Sequence, residues 1–362
     1  MCIACQTELD VEKMDAFGER VVSILNESSL GLMISIGYRV GLFETMKSMP
    51  PSTSQQIAEA AGLNERYVRE WLGAMATGGI AEVDEAGERY HLPASHAAML
   101  TEGGDGECLA HLAQYISLMG SVEDRIVTCF EKGGGVPYSE YPRFHEVMAA
   151  DSRQSVVSAL LTHILPLEPG LKEELERGIR VLDVGCGRGY ALRVMAEAFP
   201  NSEFVGYDLG EDAIAFARVE SERSELANIR FESRDLTSFD KDAPEDRFDL
   251  ITAFDAIHDQ ARPDRVLAGI KRALKPGGLY LMQDIGASSN VAENRDHLIG
   301  PLLYTISCLH CMTVSLAQDG LGVGAMWGEQ MTKHFLNEAG FAEVELRTLE
   351  HDIQNYYYLA RG

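Results

Sequence analysis

The chain has 362 residues, 46% of them hydrophobic, which is enough for about two globular domains. Its formal net charge of −25 would repel nucleic-acid phosphates and anionic lipids, which argues against both as partners. We see no continuous apolar run of the roughly 20 residues that cross a bilayer and no signal-peptide pattern at the N-terminus. We therefore expect a cytoplasmic protein.

The first third of the chain has the pattern of a winged helix. Apolar residues at helical spacing predict two helices within residues 21–46, ending before Pro50-Pro51. A short capped helix follows from Ser52, and a turn at residues 63–65 leads into a helix over residues 66–77. Short strands at 80–83 and 89–92 then surround an acidic turn. Together these elements form a winged helix-turn-helix.

The charge of this unit argues against DNA binding. Residues 52–92 contain three basic and seven acidic side chains, which gives 3 − 7 = −4. A DNA-binding surface needs Lys and Arg where the phosphates lie. The large apolar residues Trp71, Leu72 and Met75 on the second helix suit a packing role instead.

Further helices are expected between residues 109 and 165. Several polar aromatic and sulfur-bearing residues there are able to line a pocket, but core or interface packing is the simpler interpretation, and we assign none as catalytic: His111, Tyr115, Met119, Tyr138, Tyr141 and His145. The segment Pro166-Leu-Glu-Pro-Gly170 is the best candidate domain boundary. It divides the chain into domains 1–170 and 171–362.

Strands and helices alternate after residue 170, which predicts an α/β domain with a mostly parallel sheet. The apolar residues Val181, Leu182 and Val184 form its first strand, and three alternate glycines follow at 185, 187 and 189. Glycine allows positive φ and close approach of a ligand to the backbone. This turn therefore predicts a cradle for a nucleotide-like ligand.

Acidic residues fall at the carboxyl ends of the predicted strands, where ligands bind in such sheets. Asp183 ends the first strand, Asp208 the second and Asp235 follows the third. A dinucleotide site is disfavoured, because the glycines are spaced G-x-G-x-G and Asp183 lies two residues before the first of them.

With the Leu274-Lys-Pro-Gly-Gly278 turn, these motifs resemble the class I S-adenosylmethionine-dependent methyltransferases, over Leu171 to Gly362. The resemblance implies a Rossmann-like seven-stranded sheet with S-adenosylmethionine as cofactor. It implies Asp183 near the methionine end of the donor, Asp208 on the ribose and Asp235 at the adenine. The residues that it assigns to the donor site are Asp183, Gly185, Gly187, Gly189, Asp208, Leu209, Asp235, Leu236 and Phe254.

A winged helix before such a domain resembles the dimeric small-molecule O-methyltransferases of plants and bacteria. The chain is also similar to uncharacterised methyltransferases of mycobacterial type in Ala-Gly-Leu-Asn-Glu-Arg-Tyr-Val-Arg-Glu-Trp71, Phe-Asp-Ala-Ile-His-Asp-Gln260, Leu-His-Cys-Met-Thr-Val-Ser-Leu316 and His-Asp-Ile-Gln-Asn-Tyr-Tyr-Tyr358. The resemblance implies a homodimer, with an N-terminal domain that mediates dimerisation and lines the pocket of a small acceptor.

His258 is the candidate general base. It matches the histidine of the His-Asp-Trp motif of the O-methyltransferases, although Gln260 replaces the tryptophan. A neutral imidazole can take a proton from a hydroxyl during its attack on the methyl group. Asp255 or Glu329 could orient the ring, and the sequence does not choose between them.

Residues 290–326 form an insertion that we interpret as a lid over a mostly apolar acceptor. It contains Cys308 and Cys311, so a thiol or soft-element acceptor stays an alternative. The pairs Cys2/Cys5 and Cys308/Cys311 have the spacing of zinc ligands. Nothing in the sequence brings the two pairs together, so we expect packing and reduced thiols, with no metal.

The leading hypothesis is methyl transfer to a small acceptor with a hydroxyl or, alternatively, a thiol or nitrogen. A winged-helix regulator that uses the methyltransferase fold as a cofactor sensor is the second hypothesis. Methylation of a protein or nucleic acid is the third, and the acidic composition argues against nucleic acid.

Overall fold

The structure is a computed structural model that describes residues 9–102, 108–350 and 352–361. It divides into two compact units, Met1–Ser117 and Leu118–Gly362.

The N-terminal unit is mainly helical. Its elements are α1 (Val11–Arg39), α2 (Leu42–Met46), α3 (Ser54–Ala61), α4 (Glu65–Thr77), β1 (Glu82–Val83), β2 (Tyr90–His91) and α5 (Ala94–Leu100). Helix α6 (Gln114–Gly120) crosses the division between the units. The predicted helix-turn-helix and wing are confirmed, although each strand of the wing has only two residues.

Local sequence signals explain where these helices begin. The Thr53 side chain caps α3 and forms a reciprocal capping box with Gln56. Asn64 caps α4 by accepting a hydrogen bond from the amide of Arg66. The prediction of two helices within residues 21–46 was wrong in its boundaries, because one helix continues to Arg39. The break comes at Gly41, whose left-handed conformation separates α1 from α2.

The core of this unit forms around Trp71 of α4. The ring packs edge-on against Phe43, and its Nε1 donates to the carbonyl of Met33 at 2.9 Å. Leu72 and Met75 are fully buried beside it. The large apolar residues of the second helix therefore pack internally, as the sequence predicted.

Helix α1 differs from expectation in its apolar surface. It is long and apolar enough to span a membrane by length and composition, and only 11% of its most apolar window is buried. The exposed residues include Phe17, Val22 and Leu25. No continuous apolar run marks this helix, because interspersed polar residues interrupt it while the average over 18 residues stays apolar. The sequence analysis therefore underestimated its hydrophobicity.

The second unit contains the predicted seven-stranded sheet. Its strands are β3 (Arg180–Val184), β4 (Glu203–Asp208), β5 (Ile229–Ser233), β6 (Phe248–Phe254), β7 (Leu274–Ile285), β8 (Glu343–Arg347) and β9 (Asn355–Arg361). The strand order is β5-β4-β3-β6-β7-β9-β8, and only β9 runs antiparallel to its neighbours. This arrangement confirms the predicted α/β fold.

Helices cover this sheet and form the inserted segment. They are α7 (Glu123–Lys132), α8 (Phe144–Ser152), α9 (Leu171–Arg177), α10 (Tyr190–Ala198), α11 (Glu211–Arg223), α12 (Phe239–Asp242), α13 (Pro263–Ala273), α14 (Gly300–Ile306), α15 (Met312–Leu316) and α16 (Gly328–Glu338). The predicted turn at residues 274–278 lies within β7 as an irregularity: Phe248 pairs with Leu274, and Leu250 with Leu279.

Residues before the suggested boundary at 170 belong to the core of the second unit. Leu160, Ile164 and Leu165 are completely buried in one cluster with Val181 of β3 and Phe204 of β4. The compact units consequently divide near residue 117 instead of at the Pro-Gly segment. Short loops with proline and glycine can connect elements of one core as well as separate domains.

Two helical glycines, one in each unit, test how closely the helices pack. In α13, a Cβ on Gly269 would lie 2.4 Å from the Phe239 ring and 2.6 Å from its carbonyl carbon, whereas a Cβ on Gly73 of α4 meets nothing within 4 Å. We expect Gly269→Ala to destabilise its unit by about 1–3 kcal/mol through overpacking. Gly73→Ala should stabilise its own by up to about 1 kcal/mol through helix propensity.

Differential scanning calorimetry of the two variants measures both effects. A rise in Tm for Gly269→Ala would contradict the close contact between α13 and Phe239.

Candidate functional site

One cavity of about 620 Å³ lies at the carboxyl edge of the parallel strands. All nine residues predicted to bind the donor line it: Asp183, Gly185, Gly187, Gly189, Asp208, Leu209, Asp235, Leu236 and Phe254. The strand order explains why, since β4, β3 and β6 are neighbours and their carboxyl ends meet at this edge. The cavity is large enough for a nucleotide-sized ligand.

The glycine turn after β3 is shaped by its backbone. Gly185, Gly187 and Gly189 all have positive φ, between 51° and 76°. A Cβ on Gly185 would lie 2.4 Å from the Cβ of Ala256, and one on Gly189 would lie 2.4 Å from the Phe231 ring. Gly187 has nothing within 4 Å at that position. Two glycines are thus required by protein packing, and the middle one borders open space.

Asp208 joins two loops of the cavity. Its Oδ2 accepts a hydrogen bond from the amide of Gly187, and its Oδ1 accepts one from the amide of Gly210, each at 2.8 Å. Burial raises the pKa of this carboxyl, while the two amide hydrogen bonds oppose the shift. The side chain is thereby held in a fixed orientation beside the glycine turn.

Asp183 is a buried acid, and no cationic side chain among the described residues forms an ion pair with it. It is 3% exposed, and its Oδ1 accepts a hydrogen bond from Thr252 Oγ1 at 2.7 Å. Burial raises its pKa to about 7, against the opposing effect of that hydrogen bond. A cationic group in the cavity would favour the ionised form.

The remaining predicted residues also line the cavity. Asp235 is exposed and accepts a hydrogen bond from the amide of Thr237 at 2.8 Å. Leu236 is buried, Phe254 half-buried and Leu209 exposed, so they add apolar surface to the wall. An acidic acceptor beside apolar side chains suits a flat heteroaromatic ring with an amino group.

An aromatic group from residues 138–144 lines the same cavity. Tyr138, Tyr141 and Phe144 contact the ring of His310, with Phe144 stacked at 4.3 Å between centroids. The Tyr141 hydroxyl donates to the carbonyl of Leu309 at 2.5 Å. The sequence analysis recognised the two tyrosines as able to line a pocket and assigned them to packing. The two tyrosine rings pack against His310 and also form part of the cavity wall.

His258 is buried and oriented by Asp284. Its Nδ1–H donates to Asp284 Oδ1 at 2.8 Å. The same oxygen accepts from Trp327 Nε1 at 3.1 Å and from the amide of Ile285 at 2.8 Å. Of the two orienting residues considered from the sequence, Asp255 is 3.9 Å from Nδ1, and Glu329 pairs with Lys333 instead. The expected choice between Asp255 and Glu329 was therefore wrong.

Asp259 lies beside the other ring nitrogen of His258. Its Oδ1 is 3.3 Å from His258 Nε2, and Asp259 itself lines the cavity. His258 is 2% exposed and, within the described residues, is not part of the cavity lining. Burial by itself lowers the pKa of His258, but the facing carboxylates of Asp284 and Asp259 raise it well above its usual value.

Asp255 adds a third acid to this group. It follows β6 with a φ of 51°, which is uncommon for a residue with a side chain. Burial raises its pKa to about 7, although the nearby His258 opposes the shift. Strained backbone and perturbed acids are common at functional sites, so the group is a candidate catalytic centre.

The inserted segment is helical and contains the buried thiol of Cys311. Cys308 and Cys311 lie in one turn of π-helix between α14 and α15, with Cys308 half-buried and Cys311 buried. Cys2 and Cys5 lie outside the described residues, so a zinc site shared by the two pairs stays untested. Cys311 instead comes close to His258 and Asp259.

Asp284 is the residue of this group that the sequence did not indicate. Asp284 is the second-last residue of β7. The rule that found Asp183 and Asp208, an acid at the carboxyl end of a buried strand, would also have found Asp284. Asp259 was recognised within the His258 motif without a role.

Two family models match the chain. Residues 28–102 match an Rv2258c-like winged HTH domain, and residues 175–340 match a methyltransferase domain. Among relatives, a fatty-acid O-methyltransferase of Mycolicibacterium smegmatis is 33% identical over 116 residues, 32% of this chain and 40% of that protein. A ubiquinone biosynthesis O-methyltransferase of Coxiella burnetii is 33% identical over 109 residues, 30% of this chain and 44% of that protein. The chain thus spans less than half the length of these relatives.

Solved structures match the fold over nearly the full length. Mitomycin 7-O-methyltransferase has a TM-score of 0.68 at 18% identity, with 97% of this chain and 100% of that chain covered. Human N-acetylserotonin methyltransferase in complex with S-adenosylmethionine has a TM-score of 0.63 at 16% identity, with coverages of 98% and 99%. Together with the family models, these findings confirm that the chain combines a winged helix-turn-helix domain with a C-terminal methyltransferase domain.

Proposed function

We propose that the protein transfers a methyl group from S-adenosylmethionine to the oxygen of a small, mostly apolar acceptor. The observation that carries this proposal is the convergence of all nine donor-binding candidates on one cavity of a methyltransferase domain. The names of the relatives and of the structural neighbours, which are O-methyltransferases of small molecules, support oxygen as the acceptor atom.

The donor fits the charges of the cavity. Asp208 would accept hydrogen bonds from the ribose hydroxyls, and Asp235 one from the adenine amino group. Asp183 would face the ammonium of the methionine end. The aromatic wall of Tyr138, Tyr141 and Phe144 would exclude water from the reacting groups.

Proton removal from the acceptor is assigned to His258. Its Nδ1–H is fixed on Asp284, so Nε2 is the nitrogen that receives a proton once the ring is neutral, and the carboxylates of Asp284 and Asp259 set the pH above which it is neutral. Asp259 stands between Nε2 and the cavity and would pass the proton on or turn aside as the acceptor enters. Most of the rate acceleration would come from holding the acceptor oxygen in line with the methyl group.

A homodimer without nucleic-acid or membrane partners is the assembly that we propose, in the cytoplasm. The exposed apolar residues of α1 support a protein partner for this helix, since such patches are costly in water. The alternative function, a regulator that senses the cofactor, would need a nucleic-acid surface. Residues 52–92 have a net charge of −4, from 3 − 7, which disfavours that function.

Donor binding should depend on pH through Asp183. Since burial raises the pKa of Asp183 to about 7, the carboxyl is mostly neutral at pH 6 and mostly ionised at pH 8. We expect the affinity for S-adenosylmethionine to increase severalfold from pH 6 to pH 8. Asp183→Asn should bind weakly at both pH values, as measured by isothermal titration calorimetry.

Asp208→Ala is the control for this experiment: it should weaken binding and keep a pH dependence, with its midpoint at lower pH because the Asp208 charge helps to raise the pKa of Asp183. The absence of binding to the wild type at both pH values would refute the proposed donor.

His258→Gln should reduce turnover by about 100-fold or more, the contribution typical of a general base, without changing donor affinity. The measurement is transfer of label from S-adenosylmethionine into the small-molecule fraction of a cell extract. His334→Gln, a change at an exposed histidine of α16, is the matched control and should leave transfer unchanged. Equal transfer by His258→Gln and wild type would remove His258 from the mechanism.

The oligomeric state tests the role of α1. The double variant Phe17→Glu/Leu25→Glu places two charges on exposed apolar positions, and we expect it to shift a wild-type dimer to a monomer. Light scattering coupled to size exclusion measures the mass. A monomeric wild type that binds to anionic or neutral lipid vesicles would instead identify α1 as a membrane contact.

A further inference from the structure

We propose that His258, Asp259 and Cys311 form a binding site for one divalent metal ion of the Zn²⁺ or Co²⁺ type, beside the donor cavity. The inference goes beyond the proposed function, because the metal-bound protein would be a state in which His258 is not available as the base. It uses a group of side chains whose geometry the donor site does not explain.

The three side chains have the spacing of metal ligands. A ring nitrogen of His258, a carboxylate oxygen of Asp259 and the sulfur of Cys311 all lie within 4.8 Å of one another. His258 Nε2 and Asp259 Oδ1 are 3.3 Å apart. In a tetrahedral zinc site with bonds of about 2.0–2.1 Å, neighbouring nitrogen and oxygen ligands are about 3.4 Å apart. The site would therefore need little rearrangement to accept an ion.

The imidazole already has the support that metal-binding histidines use. A ligating histidine usually donates its other N–H to a carboxylate, which fixes the ring and increases its basicity. Here Nδ1–H donates to Asp284, and Trp327 Nε1 donates to the same oxygen. Asp284 is completely buried and held by a third donor, the amide of Ile285. These contacts aim Nε2 at Asp259.

One buried carboxylate oxygen without a hydrogen bond supports a cation site here. Asp259 is 9% exposed, and its Oδ1 makes no hydrogen bond within the described ranges; its 3.3 Å approach to His258 Nε2 is an ion pair only while that ring is protonated. Buried carboxylate oxygens without partners are rare, because the lost hydration is not replaced. A cation between Nε2 and Oδ1 would replace it. This orphaned oxygen is the second observation, independent of the side-chain types.

The ligand set selects the class of metal. One imidazole, one carboxylate and one thiolate suit borderline-soft ions such as Zn²⁺ and Co²⁺, and they disfavour Mg²⁺ and Ca²⁺, which prefer all-oxygen sites. Cys311 ends a turn of π-helix, a local irregularity that is common at functional sites. Metal binding would release the thiol proton to solvent and form the sulfur–metal bond.

The site has an approach from the cavity. Asp259 belongs to the cavity wall, and its Oδ2 accepts from the Tyr138 hydroxyl at 3.4 Å and faces His310 Nδ1 at 3.7 Å. Three protein ligands leave a fourth position for water or for an acceptor atom. Metal and proton would compete for His258 Nε2, so an ion bound here would prevent that nitrogen from acting as a base.

Cobalt binding tests this site without any assay of turnover. The reduced full-length protein, with Cys2→Ser and Cys5→Ser to remove the terminal thiols, would be freed of metal with a chelator and titrated with Co²⁺ without oxygen. We expect about one equivalent of Co²⁺ per chain and a near-ultraviolet thiolate-to-cobalt absorption band. Cys311→Ser should abolish the band, and Asp259→Asn should weaken binding at least tenfold.

Cys308→Ser is the matched control, because this half-buried neighbour lies in the same helical turn and outside the ligand group. It should keep both the band and the affinity. Titration of each variant with S-adenosylmethionine reports separately on the fold and on the proposed donor site. Absence of Co²⁺ binding by a protein that binds S-adenosylmethionine, or equal loss of the band in Cys308→Ser and Cys311→Ser, would overturn the metal site.

Discussion

Burial of acidic side chains at the carboxyl edge of the parallel sheet is the constraint on which the whole site depends. Asp183, Asp208 and Asp284 lie at or next to the carboxyl ends of β3, β4 and β7, so the parallel sheet brings their charges to one edge. Each requires a partner, because an isolated buried carboxylate is costly. Thr252, two loop amides and His258 supply these partners inside the protein. A bound ligand would supply further partners to these buried carboxylates.

The glycine turn and the acids that line the cavity were predictable because their signals are local. Glycine spacing and an acid after an apolar run lie within a few residues of each other, and the parallel sheet then places successive strand ends together. Gly185 and Gly189 are fixed by packing against Ala256 and Phe231, whereas Gly187 borders the cavity. The sequence could not separate these two reasons for a glycine.

The histidine cluster was only partly predictable, since its members are far apart in the chain. His258 was found through its motif, but Asp284 and Cys311 come near it only through the pairing of β6 with β7 and the path of the inserted helices. The boundaries of α1 were also not predictable from local patterns, since the helix continues to Arg39 and α2 begins only at Leu42. Local patterns fix element type better than element length.

Asp208 has a consequence for the energetics of ligand capture. Each of its oxygens holds one loop amide, at Gly187 and at Gly210, and each oxygen has a further lone pair. The two loops are therefore tied together before any ligand arrives, and a diol can bind without releasing either amide. Little conformational entropy is then lost on binding, so the cavity is preorganised for a sugar ring by the same carboxylate that would recognise it.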